Sequence, residues 1–571
     1  MLFPSDYYAW SDADKAQQLE AANALKAAIE RLRPGERMTI APGNYRLPKE
    51  GLTFIGLHDI SVAAHGATFW VENETSGGLI FQNCENVSLQ GAVFDMASLP
   101  WLQATVISVE GPDIIARLEP YFVKRFLALP DTHDFRMMFL LPDGSEEYDS
   151  KDCFIRKQSI RFEPPCSIAF SISPKVFQHW QNQLRRPQTG DRLVMGIRHG
   201  GGMIVSIGCG GMSFEDITIY ASSGFAFFEQ DFGKGGNTYR RCRLIRRPDT
   251  ERLLACAADG FHSYNQRTGP MLEDCEISWT MDDLLNIHGF FSTILEQPSP
   301  NELLVTTPYG THINKDSELE LYSAPYGASL GEVQVTECAE IPGSCNLGKE
   351  RMADIYKSRF GLSLFDFGPM PIHRLKLSAP VAVQPGDFLG DYTHCGAGAI
   401  IRNCHFHDSH VRGLLIKTTH ALLENNHIEN IALSGIILKP EFAWLEGPMP
   451  RNITIRGNVL ENCSRVYSDT APICVMCGCC PPPIERITGI RNFQSIHIIS
   501  NTVRNSNAGP AICISNVDNL EYSGNTLENT WANHQAANEI CYSNRIDLNS
   551  FKPFAQNWQG IDADRPPILV F

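Results

Sequence analysis

The chain has no long apolar run, no excess of basic charge and no dense set of cysteines. No stretch approaches the about 18 consecutive apolar residues that cross a bilayer, so no membrane-spanning helix is predicted. Its 48 basic residues face 64 acidic ones, a formal charge of −16, which disfavours nucleic acid and anionic membranes as partners. Eighteen cysteines in 571 residues are too few for a disulfide scaffold. The 43% of hydrophobic residues instead indicates a folded globular protein.

The N-terminal residues lack the pattern of a secretory signal peptide. Met1 to Asp12 contain no basic segment followed by an apolar stretch. We therefore expect a cytoplasmic protein if Met1 is the native start, and a periplasmic or secreted one if a signal peptide has been removed.

A short phrase that begins with asparagine recurs toward the C-terminus. It occupies residues 403–408, 426–430, 458–462, 501–505 and 525–529. The first three phrases begin 23 and 32 residues apart, and the last two begin 24 residues apart. The repeat is therefore about 23 residues long, with loop insertions. A coil of that length holds three short strands, which predicts an all-β, right-handed parallel β-helix. Asparagine suits its turns because it tolerates left-handed backbone angles and forms hydrogen-bonded ladders.

The cysteines follow the same repeat. Five of them begin strand phrases and are predicted to be buried, stacked and unpaired: Cys84, Cys242, Cys275, Cys404 and Cys463. A tighter group suits either a soft metal ion or, as the favoured interpretation, a reduced surface loop: Cys474, Cys477, Cys479 and Cys480.

Capping and inserted segments complete the predicted organisation. A helix over residues 13–31, with Leu25 and Ile29 on its apolar face, is expected to close the first coil. Residues 104–196 and 297–391 lack the repeat and alternate like antiparallel strands, which predicts two small inserted β-barrels. The predicted units are 1–35 (cap), 36–103 (first coils), 104–196 (barrel), 197–296 (catalytic coils), 297–391 (barrel) and 392–571 (last coils and tail).

Three carboxylates carry the strongest chemical signal. Asp259 precedes the pair Asp282 and Asp283 by one coil, and stacked coils lie about 4.8 Å apart. Carboxylates so close repel one another, so at least one should have a raised pKa. Glycoside hydrolysis needs that division into general acid and general base, with about 6.5–9.5 Å between carboxyls in an inverting enzyme. A solvated turn or a calcium site is the alternative.

Polar neighbours favour sugar binding over calcium. His262, Asn286 and His288 flank the carboxylates and suit hydroxyl groups. Further candidates for substrate binding lie in later coils: Arg412, Lys417, Trp444 and Glu446. Arg412 is expected to donate to ring hydroxyls or to keep the base ionised, and Trp444 either to stack on the sugar or to anchor its loop.

These phrases resemble the core of glycoside hydrolase family 110, the α-1,3-galactosidases. The resemblance covers residues 20–540 and rests on 219–224, 258–262, 282–289, 412–418 and 444–447. It implies an inverting enzyme that removes terminal α-1,3-linked galactose, with Asp259 as general acid and either Asp282 or Asp283 as general base. It implies no metal or cofactor, and self-association, as a homodimer, only by analogy.

Other interpretations remain open. Polygalacturonases share the β-helix, an aspartate followed by an aspartate pair, and an Arg-x-Lys phrase, but four residues separate Arg412 from Lys417. A lyase needs a basic residue near Asp259, which the sequence does not supply. A non-catalytic carbohydrate-binding β-helix would bind sugar without turnover. The sequence therefore favours an inverting exo-α-galactosidase acting on an oligosaccharide or glycan.

Overall fold

Three parallel sheets wind around a common core in the computed structural model. The structure describes residues 10–72, 77–145, 153–181, 186–310, 313–324, 327–360, 366–465, 471–476, 493–506, 511–528 and 538–543. Each coil contributes one short strand to each sheet, and strands of successive coils pair in parallel. This arrangement confirms the predicted all-β class and the parallel β-helix.

The sheets are named in the order in which a coil visits them. The first sheet contains Arg37–Thr39, Ser61–Ala63, Ser88–Gln90, Ser213–Glu215, Thr238–Arg240, Met271–Glu273, Ile400–Arg402, Leu422–Glu424, Arg451–Arg456, Phe493–Ile499 and part of Ile512–Ser523. The second sheet contains Gly43–Arg46, Ala67–Val71, Val93–Met96, Thr218–Ile219, Arg243–Leu244, Glu276–Ser278, His405–Ser409, His427–Ile431, Val459–Cys463, Thr502–Arg504 and Thr526–Glu528. The third sheet contains Leu52–Ile55, Leu79–Gln82, Gly202–Ile207, Phe225–Gln230, Phe261–Tyr264, Leu285–Ser299, Leu414–Lys417, Ile436–Leu438, Ile473–Val475, the start of Ile512–Ser523, and Asn538–Ser543.

A ladder of buried asparagines joins the last coils. Asn426, Asn458 and Asn501 each donate from Nδ2 to Oδ1 of the next asparagine, at 2.9, 2.9 and 3.0 Å, ending on Asn525. The same Oδ1 atoms accept the backbone N–H of the preceding ladder residue. Buried polar groups are thereby satisfied from coil to coil, as stable interiors require.

The ladder corrects the predicted alignment by one residue. Cys404, not Asn403, is the counterpart of Asn426, because His405 pairs with His427 and the backbone N–H of Cys404 donates to Asn426 Oδ1. Asn403 instead takes a left-handed turn angle (φ 54°). Asparagine suits both a left-handed turn and an interior ladder, so the residue type alone does not tell these two roles apart. The strand register does.

The strand-phrase cysteines lie in the core as predicted. Cys84, Cys242, Cys275, Cys404 and Cys463 are buried free thiols. Cys474 is also buried, so the predicted surface loop is wrong at that residue. The other members of its group, Cys477, Cys479 and Cys480, lie outside the described residues.

A helix closes the first coil. It spans Asp12–Ile29, and Ser11 accepts from the Asp14 N–H while the Asp14 side chain accepts from the Ser11 N–H, a reciprocal cap that favours helix initiation. Ala22, Leu25 and Ile29 are its buried residues and join the core of the first coils. None of the helices in the described ranges combines the length and apolar character that a bilayer crossing needs.

The two inserted segments are antiparallel. The first is a seven-stranded sheet of Trp101–Glu110, Asp113–Leu118, Asp134–Leu140, Phe154–Arg156, Arg161–Glu163, Ser167–Ser171 and Arg192–Gly196, with helices Pro120–Ala128 and Pro174–Gln181 and the 3-10 turn Lys157–Ser159. The second joins Leu285–Ser299, Glu302–Thr306, Ile372–Leu377, Ala328–Glu340, Glu318–Ser323 and Phe388–Asp391 in that order, and the last strand pairs with the first. It is therefore a closed six-stranded barrel. Its connections include the 3-10 turn Pro308–Gly310, the helix Cys345–Ile355 and the π-helical turn Tyr356–Phe360.

The barrel grows directly from the β-helix. The strand Leu285–Ser299 pairs in parallel with both neighbouring coils over its first four residues and then enters the barrel. A short strand, Glu446–Gly447, pairs with the same strand at Phe290 and Gly289. The loop that carries Glu446 is therefore held against the third sheet where the barrel begins.

Candidate functional site

Polar side chains gather on the outer face of the third sheet at three successive coils. In the strand Phe261–Tyr264 the core residue Phe261 precedes His262, and in the next coil the core residue Leu285 precedes Asn286. Because side chains alternate across a strand, His262 and Asn286 face outward together. The register then places outward neighbours side by side in rows: Phe228, His262, Asn286 and Leu415 in one, and Tyr264, His288 and Lys417 in the other.

The register also fixes which aspartate stacks on Asp259. Phe261 pairs with Leu285, a separation of 24 residues rather than the expected 23. Asp259 therefore lies opposite Asp283, and the Gly260 N–H donates to the Asp283 carbonyl at 3.0 Å. Leu414 pairs with Leu285 from the other side, which brings Arg412 opposite Asp283. The column Asp259, Asp283, Arg412 crosses three coils.

Asp282 is held ionised by two arginines. Its Oδ2 lies 2.9 Å from Arg136 Nη1 and 2.7 Å from Arg198 Nη1. Burial opposes ionisation, but the two guanidinium charges outweigh it and hold the pKa of Asp282 well below its usual range. Its side chain is 21% exposed, against 5% for Asp259 and 3% for Asp283. Asp282 is thus the carboxylate of the three that water reaches most readily.

Asp283 forms an ion pair with Arg412. Its Oδ1 accepts from Arg412 Nε at 2.7 Å and its Oδ2 from Nη2 at 2.9 Å, the two-pronged geometry that suits a carboxylate. Burial, with Asp282 and then Asp259 adding to it, raises the pKa of Asp283 to about 8 against the effect of Arg412. The pairing fits the ionised form, because both oxygens accept. Arg412 occupies both oxygens of the ionised Asp283. A protonated Asp283 accepts no further proton.

Asp259 shares a proton with a histidine pair. Asp259 Oδ2 lies 2.6 Å from His262 Nδ1, and His262 Nε2 lies 3.0 Å from His288 Nε2. His288 Nδ1 faces the Gly289 carbonyl at 2.8 Å and so carries hydrogen. Burial lowers the pKa of His288 to about 3, so the ring is neutral and its Nε2 accepts from His262. One further proton then lies between His262 Nδ1 and Asp259.

The environment favours keeping that proton on Asp259. Burial, and then the charge of Asp282, raise the pKa of Asp259. The hydrogen bond with His262 acts in the opposite direction without cancelling the rise. A buried aspartic acid thus lies one coil from an aspartate that arginines keep ionised.

A buried ion network closes the far side of the site. Lys417 Nζ lies 3.2 Å from Glu441 Oε2 and 2.5 Å from Glu446 Oε2, and Glu441 also accepts from Arg412 Nη1 at 2.6 Å. Asn286 Nδ2 donates to Glu446 at 3.4 Å. Asn286 Oδ1 is buried and has no hydrogen-bond partner among the described residues. It is an acceptor that a sugar hydroxyl would satisfy.

Aromatic rings line the other side. His262 packs against Phe225 at 4.5 Å, and Tyr264 stacks on His288 at 5.9 Å between ring centroids. Tyr309 extends this set from the barrel and is 45% exposed. Burial and the charge of Glu446 raise its pKa to about 12, so its hydroxyl stays protonated. Such rings are suited to pack on the apolar face of a sugar.

The structure brings most of the predicted residues together. Asp259, Asp282, Asp283, His262, Asn286, His288, Arg412, Lys417 and Glu446 form one connected site. Both ring nitrogens of His262 contact other residues of the protein. Lys417 is fully buried between two glutamates. Trp444 lies on the loop between Glu441 and Glu446 with 43% of its surface exposed.

Five contributors were missed by the sequence reasoning: Arg136, Arg198, Tyr264, Glu441 and Tyr309. Arg136 comes from the first insert and Tyr309 from the barrel, where no repeat predicts position. Tyr264 had a usable signal, since it lies two residues after His262 and so on the same face. Glu441 also did, because it belongs to the loop already chosen for Trp444 and Glu446.

The side chains with a geometry suited to a metal ion lie outside this site. Among the described residues, the groups of histidine, cysteine and acidic side chains close enough to hold an ion are Glu276 with His405 and His407, and His405 with His427 and Glu429. Both lie on the second sheet. The three aspartates of the site form no such group with one another.

Comparison with known proteins agrees with the fold. A model described as the right handed beta helix region matches residues 386–485, which supports the predicted hand. Among curated proteins, alpha-1,3-galactosidase B of Bacteroides thetaiotaomicron is 26% identical over 205 residues, 36% of this chain and 29% of that protein. The match thus spans less than a third of that relative's length.

Solved structures of similar fold include two carbohydrate-active proteins. The A-module of the mannuronan C-5 epimerase AlgE4 of Azotobacter vinelandii is 9% identical, with a TM-score of 0.36 and coverage of 93% of this chain and 94% of that one. The family 28 exopolygalacturonase of Yersinia enterocolitica is 10% identical, with a TM-score of 0.32 and coverage of 91% and 74%. At these identities the likeness concerns the fold alone.

Proposed function

We propose that this protein is an inverting exo-glycoside hydrolase that removes terminal α-linked galactose, α-1,3-linked by preference, from an oligosaccharide or glycan. The observation that carries the proposal is the pairing of a buried Asp259 with raised pKa and an arginine-held, ionised Asp282 in adjacent coils. The partial likeness to an α-1,3-galactosidase supports the choice of sugar and linkage.

Asp259 is the proposed general acid. It gives its proton to the glycosidic oxygen as the bond between that oxygen and the anomeric carbon breaks. The 2.6 Å contact with His262 Nδ1 orients the Asp259 carboxyl before this transfer. His262 and His288 are positioning residues in this scheme, because their fixed tautomers hold the Asp259 carboxyl in place.

Asp282 is the proposed general base. It takes a proton from water as the water oxygen bonds to the anomeric carbon on the opposite face, so the product is β-galactose. Asp283 does not suit this role, because Arg412 occupies both of its oxygens. Asp283 and Arg412 instead keep the floor of the site rigid between the acid and the Glu441 loop.

The polar row is short, which suits an exo-acting enzyme. Along the row that contains His262 and Asn286, Phe228 precedes and Leu415 follows. This row is thus polar over two coils, about 10 Å at the usual strand spacing. One sugar ring fits this width, with Asn286 and Glu446 as acceptors for its hydroxyls. Trp444 and Tyr309 are placed to contact the rest of the glycan.

The stereochemistry of the product tests the proposal directly. Proton NMR of the anomeric signals is to be followed while the protein hydrolyses an α-1,3-linked galactobiose. β-Galactose should appear first and then mutarotate. Early α-galactose would assign a retaining mechanism instead. Cleavage of a uronate polymer but no α-galactoside would favour the polygalacturonase-like alternative, and sugar binding without any turnover would favour the carbohydrate-binding one.

Replacing Arg198 should move the pH profile of kcat/KM. A bell-shaped profile is expected, with the acidic limb from Asp282 and the alkaline limb from Asp259. Arg198 lowers the pKa of both groups, so Arg198→Gln should raise both and shift both limbs toward higher pH. Arg402→Gln, which removes a surface ion pair with Glu273, serves as control and should leave the limbs in place. Unmoved limbs in Arg198→Gln would contradict the assignment of these groups.

A further inference from the structure

A second group of ionisable side chains lies on the outer face of the second sheet, outside the proposed hydrolytic site. His405 begins the strand His405–Ser409 and pairs in register with His427 of the next coil. His407, two residues on, pairs with Glu429. Glu276 of the preceding coil pairs with His405. Three histidines and two glutamates thus form a compact patch on three adjacent strands.

Within this patch, His405, His427 and Glu429 have the geometry of an ion site. His405 Nε2 lies 2.8 Å from Glu429 Oε1, and His427 Nε2 lies 3.8 Å from Glu429 Oε2. One ligand atom from each of the three residues falls within 4.8 Å of the others. The two imidazole rings are parallel, with 5.0 Å between centroids and 6° between planes.

An unsatisfied nitrogen points to a missing partner. His427 Nε2 is buried and makes no hydrogen bond within the described part of the chain. The His427 side chain is 41% exposed, but a shielded nitrogen without a hydrogen-bond partner still loses its contact with water without compensation. A cation between His427 and Glu429 would satisfy this nitrogen and the carboxylate at once.

We propose that His405, His427 and Glu429 bind a divalent transition-metal ion of the zinc type, with water completing its coordination. Two imidazoles and a carboxylate suit Zn²⁺, whereas Ca²⁺ and Mg²⁺ prefer oxygen ligands alone. The overlapping group that contains His407 is less suited. His407 Nδ1 already contacts Asp408 at 2.7 Å and its Nε2 faces Glu276 at 3.4 Å.

This metal site is separate from the proposed hydrolytic site. Its residues lie on the second sheet, whereas the hydrolytic site is built on the third sheet and the turns that precede its strands. The ion links strands of two successive coils, so its expected effect is on stability rather than on turnover. Binding to the folded state alone raises the unfolding midpoint with metal concentration.

Zinc binding by the full-length protein tests the proposal. Isothermal titration of metal-free protein with Zn²⁺ should give one site, and Zn²⁺ should raise the thermal unfolding midpoint. His427→Ala should weaken binding by more than the about 10- to 100-fold that is lost when a residue that only hydrogen-bonds a metal ligand is removed. His497→Ala is the matched control, since His497 pairs with Glu521 at 2.8 Å but lies outside the cluster, and it should bind as the parent protein does.

Two further measurements keep the proposal falsifiable. Circular dichroism of the His405→Ala and His427→Ala variants establishes that they are folded, and the Co²⁺-substituted protein should show no thiolate charge-transfer band, which would instead indicate the cysteines. Absence of Zn²⁺ binding at millimolar metal would overturn the proposal. So would undiminished Zn²⁺ binding in a folded variant that carries both His405→Ala and His427→Ala.

Discussion

Asp259→Asn should lower kcat on an α-1,3-linked galactobiose by about 10²- to 10⁴-fold, the contribution of a positioned general acid. Asparagine keeps the size of the side chain and a carbonyl oxygen but has no acidic proton. A nitrophenyl α-galactoside should lose far less activity, because its leaving group departs without protonation. Steady-state kinetics on the two substrates measure the difference.

The matched control for this variant is Asp274→Asn. Asp274 lies exposed on the neighbouring coil in a left-handed turn (φ 55°), a conformation that asparagine tolerates. It should hydrolyse both substrates at the parent rate. Equal losses on both substrates in Asp259→Asn would show that Asp259 is not the acid, and its raised pKa would then need another explanation.

Asp282→Ala should lower activity about 10²- to 10⁴-fold on both substrates, because activation of water is needed whatever the leaving group. Removing the side chain also leaves Arg136 and Arg198 facing an open position beside the anomeric carbon. Azide, an anion that needs no base, should enter there and restore turnover of the nitrophenyl substrate. The product should be β-galactosyl azide, identified by proton NMR.

The same experiment separates the two adjacent aspartates. Asp283→Ala should also lose activity, because Arg412 loses its two-pronged partner, but azide should not restore it. Azide rescue of Asp283→Ala and not of Asp282→Ala would reverse the assignment of the base. An α-azide product from either variant would indicate a retaining mechanism through a nucleophile that the variant still contains.

The fold was predictable because its signal repeats. Successive coils return cysteine, asparagine or apolar residues at corresponding positions, so the β-helix and the stacking of Asp259 on the later aspartate pair both follow from spacing. The period was less secure, since adjacent coils have registers of 22 and 24 residues rather than a uniform 23. An error of one residue in the period places Asp282 instead of Asp283 opposite Asp259. Because side chains alternate along a strand, the same error exchanges the environments predicted for the two aspartates.

The electrostatics of the site were not predictable in the same way. Arg136 holds Asp282 ionised from an insert that joins the β-helix only through tertiary packing. Its distance along the chain from Asp282 carries no information about this contact. The tautomers of His262 and His288 likewise follow from partners that only the folded structure identifies.

The asparagine ladder has a consequence for how this molecule can change over evolution. Its rungs join residues that are 22, 32, 43 and 24 positions apart in sequence, yet the stacking contact is nearly the same at each rung. The ladder therefore fixes the rise of the helix while leaving the length of each coil free. The 32-residue coil is the one that carries Glu441 and Glu446. Insertions at the rim can thus remodel the opening of the proposed site, while the floor of that site keeps its spacing.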